Sequence, residues 1–166
     1  MDVEFIRTGE RRYAVEVRPP GRPVMRAEPA PAYHHEVPHD LLHLECEVHW
    51  GLRDGVFGSV AQGGDAGSFR EPGKPRDKRT AKRDAHLGGD TARSEGLAGA
   101  MLIAWVRRQR GTTPLIDPGS ADALRVTESE VEAFLERIAP VATEWAALPV
   151  GGSLQRTWPG AAGRSR

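Results

Sequence analysis

Histidine is the residue to follow in this chain. Five of its six histidines fall between His34 and His49, with Glu36, Asp40, Glu45, Cys46 and Glu47 interleaved among them. Imidazole nitrogens, carboxylate oxygens and thiolates are the side-chain donors that hold transition-type divalent metals. The sharpest subset is His39-Asp40-Leu41-Leu42-His43. Two side chains four residues apart on a helix stand on one side, about 6 Å apart along the axis, and can share one ion. The spacing is that of the H-E-x-x-H helix of zinc proteases, in which the glutamate polarises the attacking water. Aspartate replaces glutamate here and is one methylene shorter, which argues against protease chemistry. The pattern makes His39 and His43 candidate metal ligands. Asp40 becomes the candidate catalytic group, orienting water or a histidine.

A third donor is expected from outside this pair. Glu47 is on the same helical side, but eight residues from His39 means about 12 Å along the axis, too far for one ion to bridge. His43 with Glu47, or His43 with Cys46, is an alternative pair. His35, just upstream, is the candidate third ligand, with His86 and Asp65 as the other choices. The cofactor of such a set is a divalent metal such as zinc, and metal-dependent hydrolysis is the reaction it suits.

The same residues carry a plainer meaning. On a helical wheel His39, Asp40, His43 and Glu47 form one polar arc opposite Leu41, Leu44 and Val48, as the solvated side of an amphipathic helix requires. Leu42 and Cys46 make a second apolar strip beside that arc. On this reading the chain is a non-catalytic protein-interaction or regulatory domain without a metal. The paired imidazoles also offer a pH sensor.

These residues must be positioned by a scaffold, and its elements are legible. Residues 3 to 7 and 12 to 18 read as strands joined by a hairpin turn at Thr8-Gly9-Glu10, and residues 23 to 27 as a third. The histidine-bearing helix starts at Pro38, where a missing N–H costs nothing, and stops at Trp50 with Gly51 as a left-handed cap. Glycines and evenly placed apolar residues from 55 to 69 predict an ordered loop with a short helical turn. A second helix is expected from Thr91 to Arg110, capped by Asp90, with Leu97, Met101, Ala104 and Trp105 as its buried stripe. Thr127 and Glu130 have capping-box spacing and open a third helix, which Pro140 is expected to kink or end. The fold class is therefore α+β: a three-stranded antiparallel β-meander packed against three main helices, forming one domain over residues 1–150. A mobile basic insertion is expected at about 70–89 and a disordered tail at 151–166, with Trp158 exposed in it.

Composition narrows the function classes. The 166-residue chain has 23 Lys and Arg against 23 Asp and Glu, so net charge favours no nucleic-acid partner. Locally, residues 70 to 84 hold seven basic and three acidic side chains. That segment has no aromatic residue for base stacking and no periodic basic face, which again argues against nucleic acid. A protein partner remains open. The single cysteine, Cys46, excludes an internal disulfide or a cysteine-rich zinc module. The acidic start, Met1-Asp2-Val3-Glu4, does not resemble a signal peptide, and the apolar run from 97 to 106 is half of what a membrane span needs. A cytoplasmic protein is expected. Gly58 and Gly63 have the gap of a phosphate-binding loop, but the Lys and Ser/Thr that must follow are missing.

Pro38-His39-Asp40-Leu41-Leu42-His43, followed by Gly55-Val56-Phe57-Gly58 and Gly63-Gly64-Asp65-Ala66-Gly67-Ser68-Phe69, resembles an uncharacterised bacterial protein family. Its members open with a similar β-hairpin, then carry a P-H-D-L-x-H helix and a G-V-F-G loop. The resemblance covers roughly residues 1 to 69 and implies no activity. What it implies is that helix and loop belong to one unit.

Overall fold

The structure, a computed structural model, describes residues 1–30, 32–75, 78, 80, 82, 86 and 88–159. Its order is β1 (Asp2–Gly9), β2 (Arg12–Arg18), β3 (Met25–Ala27), α1 (His39–Trp50), α2 (Val56–Ala61), α3 (Thr91–Gln109), α4 (Pro118–Leu124), α5 (Glu128–Ala147) and β4 (Ser153–Thr157). The α+β class is as expected. The meander of three strands is present, and a fourth strand completes it in the order β3-β2-β1-β4, with every pairing antiparallel.

That fourth strand corrects the expected tail. Residues 153–157 pair with β1, Leu154 opposite Phe5 and Gln155 opposite Glu4. Five residues with one apolar side chain show no alternation that a sequence reading can detect. The strand forms because β1, already paired to β2 on one edge, offers its other edge. Leu154 then fills the sheet's buried side beside Val3, Phe5, Tyr13, Val15, Val17, Met25 and Ala27. Trp158, expected exposed, is buried, and its backbone N–H bonds Met1 O at 2.9 Å. Residues 160–166 of the expected tail lie outside the described residues, as does much of the expected insertion (76, 77, 79, 81, 83–85 and 87). At the start of that insertion, Arg70 is tied to β3 by a bridge to Arg26.

The helices follow their sequence signals with two departures. Gly51 adopts φ 66° and caps α1, while Leu52 N–H closes onto Glu47 O at 2.9 Å. Thr127 and Glu130 form the expected capping box of α5. Pro140 does not end that helix, which runs unbroken to Ala147. Proline removes the N–H that Glu136 O would accept, but Pro140 and Glu136 are both exposed, so water can serve that carbonyl. Asp90 does not cap α3; its Oδ2 accepts from Arg53 N and Asp54 N at 2.8 and 3.1 Å, tying the loop after α1 to the start of α3. No helix among the described residues is long and apolar enough to cross a membrane.

Two apolar cores lie on either side of α1. Leu41 and Leu44 join the sheet-side core with Phe57, Phe69 and Trp145. Leu42 and Cys46 join the other, built on α3 and α5 around Leu97, Met101, Phe134 and Leu135. The helix is thus an inner layer, and all eight residues from Asp40 to Glu47 are buried. The two apolar strips seen in its sequence are the two faces of that layer.

On the outer face of the sheet, Glu4 bonds Arg18 at 3.0 Å. Hydrogen bonds from Ser153 and Arg18 hold its carboxyl below the usual value of 4.5. A lowered carboxylate pKa stabilises the fold above the unfolded value, and that gain is lost as pH falls through the folded one. The stability difference between the wild type and Glu4→Gln, measured by urea unfolding, should therefore shrink from pH 7 to pH 3. An unchanged difference would show that β4 is not bonded to Glu4 as described.

Candidate metal site between the first and third helices

Burying Asp40 to Glu47 between two cores forces each polar side chain among them to find a protein partner, because an unpaired buried polar group costs roughly 1–3 kcal/mol. Asp40, 8% exposed, has its Oδ2 2.6 Å from the Tyr13 hydroxyl, which donates to it. Burial raises the carboxyl's pKa, opposed by the Tyr13 bond and by the charge of His39. Burial raises the Tyr13 phenol too, with Asp40 adding to the effect. Glu45 takes Arg137 at 2.7 Å. The Cys46 thiol is pushed well up by burial and by Glu47 and Glu45, and behaves as a small apolar side chain.

Glu47 has the fullest set of partners. Its side chain is 1% exposed. Oε1 accepts from Phe57 N at 3.2 Å and Ser94 Oγ at 3.1 Å; Oε2 accepts from Gly58 N at 3.0 Å and the Trp158 indole N–H at 3.1 Å. Burial raises its carboxyl pKa while the Gly58 and Phe57 amides lower it. The G-V-F-G loop is shaped by this contact. A Cβ on Gly55 would strike the Glu47 carboxylate, and one on Gly58 would strike the carbonyl oxygen of Arg53. Both glycines are required by close approach.

The histidines separate into different roles. His34 Nδ1 accepts from the backbone of Glu36 and Val37, each at 3.3 Å, and His49 lies edge-on to Phe134. His39 and His43 come together as their spacing predicts, with ring centroids 4.6 Å apart and planes at 86°. His43 is 2% exposed, its Nδ1 2.8 Å from Ser94 Oγ and its Nε2 3.3 Å from Glu95 Oε2. Burial, aided by His39, pushes the His43 imidazole down to about 3, so it is neutral at neutral pH, the form that binds metals.

His39, His43 and Glu95 each offer one ligand atom, all within 4.8 Å of one another. The third member is Glu95, not His35. His35 is exposed, stacks on His34 and lies 3.5 Å from Glu36, because the chain before Pro38 is not helical and does not continue the line of His39 and His43. Asp65 pairs with Arg70 at 3.1 Å, and exposed His86 is outside the group. Asp40 stands next to the pair in sequence, but its Oδ2 holds Tyr13 and it is not one of the three donors.

Ser94 and Glu95 were not singled out by sequence, although a signal for them exists. The buried stripe of α3 is Ser94, Leu97, Ala98, Met101, Ala104 and Trp105. Extending the apolar stripe back by one turn reaches Ser94, and Glu95 follows it at the stripe's edge. Ile103 lies off this stripe and is 57% exposed.

No protein-family model, curated protein or solved structure matches this chain. The resemblance seen in the P-H-D-L-x-H helix and G-V-F-G loop therefore stands on those residues alone.

Glu47→Gln places an amide N–H₂ against at least one donor that now meets a carboxylate oxygen. It should lower unfolding free energy by about 2–4 kcal/mol in urea denaturation. Glu95→Gln, at a side chain 56% exposed, should change it by less than about 1 kcal/mol. Equal effects from the two substitutions would contradict the partners assigned to Glu47.

Proposed function

We propose that this protein binds one divalent metal ion, of the zinc type, through His39, His43 and Glu95. The observation that carries the proposal is the convergence of two imidazoles and a carboxylate, from two packed helices, within 4.8 Å. Metal–ligand bonds of about 2.0–2.2 Å place the donors of a tetrahedral ion roughly 3.3–3.6 Å apart. His43 Nε2 and Glu95 Oε2, at 3.3 Å, already have that separation. Rotation of the His39 ring and of the exposed Glu95 side chain closes the remaining gap. His43, packed between helices, is the fixed member.

Two imidazoles and one carboxylate leave at least one coordination position for water or a substrate oxygen. A metal-dependent hydrolase is the enzymatic extension of this reading, with water activated by the metal itself. Asp40 is a poor choice for orienting that water, since it is held by Tyr13. The Glu95 side of the site faces solvent, and that is where a ligand would enter.

Tag-free protein, stripped with a chelator and titrated with Zn²⁺ or Co²⁺ in a calorimeter, should bind one equivalent. At a free metal concentration of 100 Kd the stability gain is about 2.7 kcal/mol, read as a rise in Tm. His43→Ala and Glu95→Ala should each remove stoichiometric binding, while His35→Ala leaves it unchanged. No binding by the wild type would falsify the proposal and leave a non-catalytic interaction domain as the better reading.

A further inference from the structure

His43 touches more than the other two candidate ligands. Its Nδ1 is 2.8 Å from Ser94 Oγ, Ser94 Oγ is 3.1 Å from Glu47 Oε1, and all three side chains are buried. A serine hydroxyl has one proton to give and lone pairs to receive. Which way the chain of bonds runs decides which nitrogen of His43 carries hydrogen.

The Glu47 end fixes the direction. Phe57 N–H, Gly58 N–H and the Trp158 indole N–H are donors that cannot be reversed, and they occupy both carboxylate oxygens. Three N–H groups on the two oxygens stabilise the ionised carboxylate, which can only accept. Ser94 therefore gives its hydrogen to Glu47 and presents a lone pair to His43. Nδ1 of His43 must then be N–H, which leaves Nε2 bare. Nε2 is the atom that faces Glu95.

We infer that Ser94 and Glu47 are positioning residues for the metal site. By receiving the Nδ1 hydrogen they hold His43 in the tautomer and ring orientation that present the Nε2 lone pair to the ion. This rests on the metal reading and adds the device that selects the ligating atom. A cation held there would meet both the Nε2 lone pair and the Glu95 carboxylate, whose atoms lie 3.3 Å apart. Partners that take up the free N–H of a ligating histidine typically contribute 10–100-fold to metal affinity.

The test combines a tautomer measurement with binding. Long-range ¹H–¹⁵N correlation spectra of metal-free wild type, with the His43 signals assigned by their loss in His43→Gln, should show the Nδ1–H tautomer. Ser94→Ala should weaken Zn²⁺ binding about 10–100-fold in a chelator-competition titration. Ser94→Thr, which keeps the hydroxyl, should stay within a few-fold of wild type, and Tm without metal checks that each variant is folded. An Nε2–H tautomer in the wild type overturns the inference, as does Ser94→Ala binding Zn²⁺ as tightly as wild type. A wild type that shows Nδ1–H yet binds no Zn²⁺ overturns the metal reading instead, so the two failures are told apart.

Discussion

A carboxylate sealed away from water must be met by donors, and Glu47 is met by four. Moving such a group out of solvent costs several kcal/mol unless hydrogen bonds replace its hydration. Its donors come from α2, from α3 and from the segment after β4. None of these elements touches another through Glu47 alone, yet each must be in place for the charge to be satisfied. The carboxylate thus links parts of the chain as distant as residues 47 and 158. Gly55 follows from the same constraint, because a Cβ there would strike the carboxylate, while Gly58 is required by the close approach of the Arg53 carbonyl.

The inner position of α1 explains why its chemistry is held so firmly. A helix at the surface would leave its histidines and acids in water, with rotamers free. Between the sheet-side core and the helical core, the same residues are packed and paired: Asp40 to Tyr13, His43 to Ser94, Glu45 to Arg137. Only the edge of the group, at His39 and Glu95, is open. Such an arrangement sets one fixed side chain, His43, beside two that can adjust, His39 and Glu95. Metal sites depend on outer partners of this kind as much as on the ligands themselves.

The sequence is informative wherever one local rule decides the outcome. The two hairpin strands, the Gly51 cap, the Thr127–Glu130 capping box and the pairing of His39 with His43 all follow from short spacings, although the hairpin turn falls at Glu10–Arg11 and Thr8 and Gly9 belong to β1. It is silent where a contact depends on distant chain. β4 has no pattern of its own and takes the free edge of β1; Trp158 is buried in the sheet-side core, where its indole N–H donates to Glu47. The polar arc of α1 reads as solvated, since a helical wheel cannot say that a second layer covers it. His35 is close to the pair in sequence but not among the three grouped donors, while Glu95, more than fifty residues from either histidine, is brought beside them by the packing of α3 on α1. Helix α4, capped by Asp117 through Ser120 N at 3.0 Å, lies in a segment to which sequence periodicity assigned nothing.

The strand order leaves one partner of β1 far along the chain. β2 follows β1 through a short turn, but the other neighbour, β4, comes some 150 residues later. Without β4, β1 offers an open row of N–H and C=O groups. Open edges of that kind invite pairing with other chains. A chain lacking β4 and Trp158 would have both an incomplete sheet and a Glu47 carboxylate without its indole donor. Closing the sheet and completing the donors of Glu47 thus fall to one short segment, residues 153–158.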